Sequence, residues 1–267
     1  MKKSKHIYSY PQYYEIGFCQ TNIRREIDFI VKCYQKHKEN STLSSIMDNG
    51  CGTGHYLEKF AKLGIEVCGY DLSPQMVKYS NTRLAQITAH FHVFRADLRD
   101  FAARCKYDMA ICMNGSFQYL MTVEDVVRHL KCVANVLEDG GLYLISLPAP
   151  EDFLLNPPGS IKSEWSETRD AITVAVYWTY RQDPIDWNTQ TFSGLAKIKV
   201  NDSGHELSIE MPYRYRIFFP QEISALVHLS GCFEIIHIYG DFHLGRTYGK
   251  TRQPRAMNVL LGKARSK

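Results

Sequence analysis

A run of glycines at one strand–helix junction constrains this chain more than any other feature. Asp48-Asn49-Gly50-Cys51-Gly52-Thr53-Gly54 follows the short strand-like run Ser44-Ser45-Ile46-Met47-Asp48. It precedes Tyr56, Leu57, Phe60 and Leu63, which recur at helical spacing before Gly64 stops the helix. Glycines at such a junction let the backbone turn tightly and approach a ligand closely. The free N–H groups that open the helix favour a negatively charged ligand group. The dinucleotide fingerprint GxGxxG is not met. The spacing is Gly50-x-Gly52-x-Gly54, and His55 stands where the third glycine belongs.

Strand–helix alternation continues on both sides of this loop. Ile23, Ile27, Ile30, Val31 and Tyr34 share one helical face over residues 22–38. Ile65 to Asp71 is a second strand, and Ser73-Pro74 opens the next helix with Ser as cap and Pro at its first position. His90 to Arg95 is a third strand. Tyr107 to Met113 is a fourth, apolar nearly throughout, as a strand covered on both faces is. A helix over 122–137 runs up to Asp139-Gly140-Gly141, and Leu142 to Leu147 is the fifth strand. This order predicts a parallel sheet with helices on both faces.

After Pro148-Ala149-Pro150 the pattern changes. Strand-like runs over 171–180 and 190–217, with a turn at Asn201-Asp202-Ser203-Gly204, read as antiparallel hairpins. A helix from Pro220 to Leu229 and strands at Phe233–Tyr239 and Met257–Leu261 then return to the sheet. The expected organisation is an N-terminal helical lid segment (1–43), a Rossmann-like core (44–150), an inserted antiparallel β cap (151–218) and a C-terminal completion of the core sheet (219–267).

Composition narrows the function classes. With 32 basic against 28 acidic residues, the net charge of +4 is small, and Lys and Arg are scattered rather than gathered in the dense patch of a nucleic-acid binder. No apolar run is long enough to span a membrane. Met1 to Tyr8 carries charge but no apolar stretch follows, so export is not expected. The eight cysteines form no CxxC pair and read as small buried hydrophobes in a reducing, cytoplasmic compartment. No His/Cys/Asp cluster has metal-ligand spacing.

The pattern Asp48-x-Gly50-x-Gly52-x-Gly54 resembles motif I of class I S-adenosylmethionine (SAM)-dependent methyltransferases, and the resemblance extends along residues 44–147. Tyr70-Asp71-Leu72-Ser73 ends the second strand, Ala96-Asp97-Leu98 follows the third, Tyr107 to Asn114 resembles the fourth-strand motif, and Leu137 to Leu142 resembles the L-x-x-G-G turn before strand five. The resemblance implies an α/β Rossmann-like, seven-stranded, mostly parallel sheet in the order 3-2-1-4-5-7-6, with the last strand antiparallel. It implies SAM as cofactor and S-adenosylhomocysteine as its product. The loop residues Asp48, Gly50, Cys51, Gly52, Thr53 and Gly54 are the matching cofactor contacts, with Asp71 and Leu72 at the ribose and Asp97 and Leu98 at the adenine. Met76 suits either the adenine face or the core. Met113 and Asn114 complete the set at the end of strand four, and Tyr14, in the aromatic segment Tyr8 to Glu15, matches a lid position that folds over the cofactor. Asp108, inside the fourth-strand motif, also reads as a strand-end cap.

The implied reaction is methyl transfer by SN2 displacement to N, O or C of a small-molecule acceptor. Tyr119, in the loop after strand four, and His243, in Asp241-Phe242-His243, are the candidate acid/base or orienting groups. Trp165, Trp178 and Trp187 read either as acceptor-pocket walls or as the filling of the cap. Asn156-Pro157-Pro158-Gly159 looks like a nucleic-acid methyltransferase motif, but it follows strand five and ends in glycine, so it reads as loop punctuation. Neither nucleic acid nor membrane is expected as a partner, and a homodimer stays open. The alternatives are a methyltransferase acting on RNA or protein and a non-catalytic SAM-fold scaffold. Intact glycines and Asp71 weigh against the scaffold.

Overall fold

The computed structural model describes residues 6–19, 23–39, 41–154, 162–179, 184–250 and 254–264. The chain opens with a short 3-10 turn (Ile7–Ser9), helix α1 (Pro11–Phe18) and helix α2 (Ile23–His37). It then alternates through β1 (Ser45–Asn49), α3 (His55–Lys62), β2 (Glu66–Asp71), α4 (Pro74–Leu84), β3 (Phe91–Arg95), β4 (Tyr107–Cys112), α5 (Val123–Val136) and β5 (Leu137–Pro148). A single turn α6 (Glu151–Leu154) leads to four strands, β6 (Lys162–Arg169), β7 (Ile172–Thr179), β8 (Thr191–Asp202) and β9 (His205–Arg216). Helix α7 (Pro220–Ser230), β10 (Phe233–Gly240) and β11 (Ala256–Lys263) finish the fold.

Seven strands form one sheet in the order β10-β11-β5-β4-β1-β2-β3. All neighbours pair in parallel except β11, which runs antiparallel between β5 and β10. That is the strand order and the antiparallel strand expected from the sequence. Alternate residues dress the two faces. Met47, Cys68, Ala110, Cys112, Tyr143 and Ile145 meet α5 and α7, while Ile46, Val67, Met109, Ile111 and Leu144 meet α2 and α3. The helices start where side chains satisfy their first N–H groups. Ser73 Oγ accepts from Met76 N–H at the head of α4, and Thr122 Oγ1 accepts from Asp125 N–H at the head of α5.

Strands β6 to β9 make a separate antiparallel sheet, paired in chain order. The β8–β9 hairpin turns through Ser203 and Gly204, both left-handed (φ +53° and +91°), the geometry a two-residue hairpin needs. One face of this sheet packs on a third core that also holds Ile7 and Ile16. Residues 7–18 therefore sit on the cap, whereas α2 sits on the main sheet.

The structure departs from the sequence reading in two places. The fifth strand begins at Leu137, directly after α5, rather than at Leu142. Gly140 adopts φ +70°, and the pairing jumps from Tyr107–Leu137 to Met109–Leu142, so the glycines form an irregular strand entry instead of a free turn. The antiparallel sheet also starts one strand earlier, at β6, which pairs with β7 along its length. Asn156-Pro157-Pro158-Gly159 lies outside the described residues. Among the described residues no helix is long and apolar enough to cross a membrane, and no group of side chains could hold a metal ion.

Candidate functional site

The chain runs from β1 outward through β2 and β3, then returns to β4 on the other side of β1. Parallel sheets bind ligands at such a switch point, beyond the carboxyl ends of the strands. The glycine loop occupies that position. Its first turn is pinned to the end of β2, because Gly50 N–H and Cys51 N–H both donate to the Tyr70 carbonyl, at 3.0 and 2.8 Å. Gly52 is left-handed (φ +53°), and a Cβ built on it would meet nothing within 4 Å, so its backbone borders open space. Asp71 holds the loop from behind. One carboxylate oxygen accepts from Gly52 N–H at 2.9 Å and the other from Ser73 N–H at 2.8 Å.

A cavity of about 350 Å³ lies over this loop. Its floor is Asp48, Gly50, Cys51, Gly52 and Thr53, with Met113, Asn114 and Ser116 from the end of β4. Two consecutive left-handed residues, Asn114 and Gly115 (φ +52° and +74°), bend the chain there and bring Tyr119 to the rim. Tyr8, Tyr14, Phe18 and Cys19 close it from the N-terminal segment, and Trp178, Met211 and Tyr215 wall it from the cap.

The aromatic side chains around the cavity form a closed ring. Tyr8 to Tyr14, Tyr14 to Phe18 and Phe18 to Trp178 are 5.4, 5.1 and 6.1 Å apart between ring centroids. Trp178 stacks on Tyr213 at 4.6 Å, Tyr213 meets Tyr215 at 4.7 Å, and Tyr215 meets Tyr119 at 5.1 Å. A Tyr119–Tyr8 hydroxyl contact of 2.9 Å completes the circuit, with the Tyr215 hydroxyl 3.4 Å from that of Tyr119. Gly194 makes room for part of it, since a Cβ there would fall 2.1 Å from the Tyr213 ring.

The lid is anchored by charge. Buried Glu15 of α1 pairs with Arg83 of α4 and, at 2.9 Å, with Arg169 of β6. The Arg83 guanidinium also donates to the Thr53 carbonyl at 3.3 Å, tying lid, cap and glycine loop at one junction. Trp165 adds a bond from its indole N–H to the Gly17 carbonyl at 2.6 Å. Behind the floor, Tyr56 donates to buried Glu26 and stands 3.3 Å from the Asn114 side-chain oxygen.

Burial, reinforced by the Asp71 carboxylate, pushes Asp48 up to about 8. Burial also raises Tyr8 and Tyr14 well above the ordinary phenol range, so both hydroxyls stay protonated.

Of the residues singled out from sequence, Tyr14, Asp48, Gly50, Cys51, Gly52, Thr53, Met113, Asn114 and Tyr119 meet at this cavity. Gly54 caps α3 behind it, and Asp71 braces it through Gly52. Leu72 is 58% exposed and Met76 is buried in the first turn of α4. Asp97 lies beyond β3 and is paired with Arg99 by two bonds of 2.8 and 2.7 Å, and the Leu98 carbonyl meets His129 Nδ1 at 2.8 Å. None of these four lines the cavity. Asp108 takes the N–H groups of Ser44 and Ser45, both at 2.9 Å, at the opposite end of β1, which is a strand-capping role.

His243 lies apart from this cavity. It is exposed, its Nδ1 accepts from Gly245 N–H at 3.1 Å, and it follows the outermost strand, with β11 and β5 between it and β4. Trp187 is likewise 64% exposed and away from the cavity. The sequence reading left out Phe18, Met211 and Tyr215. The last two share a face of β9 with Tyr213 at a spacing of two, and that alternation was the available signal.

Residues 46–141 match the methyltransferase domain family. The dTDP-3-amino-3,4,6-trideoxy-alpha-D-glucopyranose N,N-dimethyltransferase of Streptomyces venezuelae is 34% identical over 102 residues, covering 38% of this chain and 41% of that protein. The dTDP-4-amino-2,3,4,6-tetradeoxy-D-glucose N,N-dimethyltransferase of Saccharopolyspora spinosa is 32% identical over 101 residues, covering 38% and 39%. This chain therefore spans about two fifths of the length of the curated relatives it matches. Among solved structures, an S-adenosylmethionine-dependent methyltransferase from Clostridium acetobutylicum superposes with a TM-score of 0.77 at 18% identity, over 95% of this chain and 96% of that one. DesVI of Streptomyces venezuelae does so with a TM-score of 0.74 at 22% identity, over 95% and 97%. At these identities the superpositions establish the fold, a Rossmann-like methyltransferase fold over nearly the whole chain.

Proposed function

From the methyltransferase domain at residues 46–141, we propose that this chain transfers a methyl group from SAM to a nitrogen of a small molecule. The observation that carries this reading is the cavity itself, a glycine cradle at the sheet switch point closed over by a ring of aromatic side chains. The residues fit the cofactor. Gly52 leaves the floor open to close approach, Asp71 keeps a spare lone pair on each carboxylate oxygen for ribose hydroxyls, and the aromatic faces suit a cation. Bound SAM would supply an already activated methyl group on a sulfonium.

The chain's own task is then to hold, orient and dehydrate. Alignment of the two reactants can supply much of the barrier reduction. The N-terminal segment and the cap shield the cavity from water on two sides. A neutral amine needs little base assistance, whereas a hydroxyl needs a strong one. The described lining carries no carboxylate besides Asp48, its one imidazole, His55, is a weak base lowered further by burial, and the tyrosine hydroxyls are held protonated. This supports nitrogen over oxygen. Tyr119, bonded between Tyr8 and Tyr215, is placed to orient the acceptor through its hydroxyl. The two curated relatives named above, both N,N-dimethyltransferases of nucleotide-linked amino sugars, support the same acceptor class. An RNA or protein acceptor is disfavoured because the lid and cap cover the loop instead of leaving an extended groove.

The test is incubation with methyl-labelled SAM and cell extract separated into small metabolites, RNA and protein. Label is expected in the small-molecule fraction, on an amine. Label in RNA or protein would overturn the acceptor class.

A further inference from the structure

We infer that Glu26, acting through Tyr56, decides which end of the Asn114 carboxamide faces the cavity and so orients the acceptor amine. The inference rests on the transfer to nitrogen proposed above and adds two positioning residues to it, one in α2 and one in α3. Three observations carry it. First, the groups form a chain from the interior to the cavity. Glu26 is buried, 6% exposed, and is bonded to the Tyr56 hydroxyl. That hydroxyl lies 3.3 Å from Asn114 Oδ1, and Tyr56 and Asn114 both line the cavity. Second, the protons do not suffice for both contacts. A phenol has one proton, whereas an ionised carboxylate and a carboxamide oxygen only accept. Third, the Asn114 backbone is set left-handed (φ +52°) in the bend after β4. A half-turn about the last side-chain torsion therefore exchanges amide oxygen and nitrogen with little other movement.

Two arrangements satisfy every group. Ionised Glu26 takes the phenolic proton. The Tyr56 oxygen then only accepts, so the amide turns an N–H to Tyr56 and its oxygen to the cavity. Protonated Glu26 instead donates to Tyr56, Tyr56 donates to Asn114 Oδ1, and the amide N–H2 faces the cavity. An amine meets these two ends differently. The oxygen accepts an amine N–H and leaves the nitrogen lone pair free to attack the methyl group. The N–H2 group donates to that lone pair and opposes the attack, so ionised Glu26 is the productive state. Burial raises Glu26 above its ordinary range, while the Tyr56 hydroxyl and Arg25 of α2 favour its charge. Asp48 of β1 acts on Tyr56 with the same sign as Glu26. The exchange therefore falls above the pH at which an exposed glutamate titrates.

The experiment has two readouts on the full chain. Side-chain amide NMR follows the Asn114 N–H2 resonances, identified by their loss in Asn114→Asp, from about pH 4 to 9, a range that spans a raised glutamate. In wild type they should shift in a single titration. Glu26→Leu gives the phenol no other acceptor and holds it on Asn114 Oδ1, so that titration should vanish. The dispersion of the same spectrum shows that the variant is folded. The second readout is the initial rate of transfer from methyl-labelled SAM to the small-metabolite fraction of a cell extract. Glu26→Leu should be slower by about tenfold, the scale of one misplaced hydrogen bond. Adding Tyr56→Phe to Glu26→Leu should restore part of the rate, because the amide is then free to turn. A structural role predicts losses that add. Added losses, or wild-type amide resonances that do not titrate, would overturn the inference and leave the methyl-transfer reading standing. Wild type that transfers no label while its Asn114 amide titrates would overturn that reading and leave the control of Asn114 by Glu26 standing.

Discussion

Asp71 holds structure at two places, and we propose that it also meets the cofactor ribose. Its two oxygens fix the glycine loop through Gly52 and the head of α4 through Ser73, and each retains a spare lone pair. Asp71→Ala frees both N–H groups and removes the ribose acceptors together. S-adenosylhomocysteine affinity should fall by about tenfold to a hundredfold, from one or two charged hydrogen bonds, and unchanged affinity in a titration would misplace the ribose. Asp48 makes a different prediction. Its acidity is shifted up to about 8 in the fold, far above an unfolded aspartate. The folded state therefore binds the extra proton between the two values. The stability this confers is fully present below about pH 4 and is lost as pH rises toward 8. Asp48→Asn should flatten that decline in ligand-free denaturant titrations at pH 5 to 9, and an unaltered slope would show that Asp48 ionises normally.

At the scale of elements, the Glu15 junction separates the two bonds that hold α1 in place. Arg83 is mostly buried, whereas Arg169 is half exposed at 51%. Breaking a buried pair costs about 3–5 kcal/mol, an exposed one under about 1 kcal/mol. Glu15→Gln should therefore destabilise strongly in urea titration and Arg169→Gln hardly at all. Equal effects would mean that the lid is held by the cap sheet instead of the core. Legibility divides along similar lines. The core strands and helices showed in the sequence because short apolar runs such as Tyr107 to Met113 alternate with helically spaced segments, and because Ser73-Pro74 marks a helix start. Strand β6 did not show, since Trp165 is its single large apolar residue and every second position is exposed. The irregular entry of β5 turns on a left-handed Gly140, which reads equally well as a turn. The loop residues of the site were legible from their spacing. Met211 and Tyr215 were not, because alternation gives a strand two faces without saying which one meets a cavity. His243 lies apart from the cavity for a related reason: its motif follows a strand, but strand order puts that strand at the sheet edge.

In the whole molecule, the cavity exists only where three bodies meet: the main sheet, the cap sheet and the N-terminal segment that bridges them. A ligand bound there contacts all three and should stabilise the chain as a unit. S-adenosylhomocysteine at about a hundred times its Kd contributes about 2.7 kcal/mol, which in a chain of this size raises Tm by roughly 5–10 °C. The same addition to Gly52→Val should raise it by far less, because a branched side chain on a left-handed residue both strains the loop and fills the cradle. An equal rise in the variant would place the ligand elsewhere. The most direct measurement is product mass spectrometry after incubating the full chain with SAM and a panel of nucleotide-linked sugars, each supplied with a free amine and with that amine acetylated. The account predicts methyl groups on nitrogen of at least one free amine and none on its acetylated counterpart. Methyl transfer to hydroxyls in both series, or SAM left unconsumed by every amine, would contradict it.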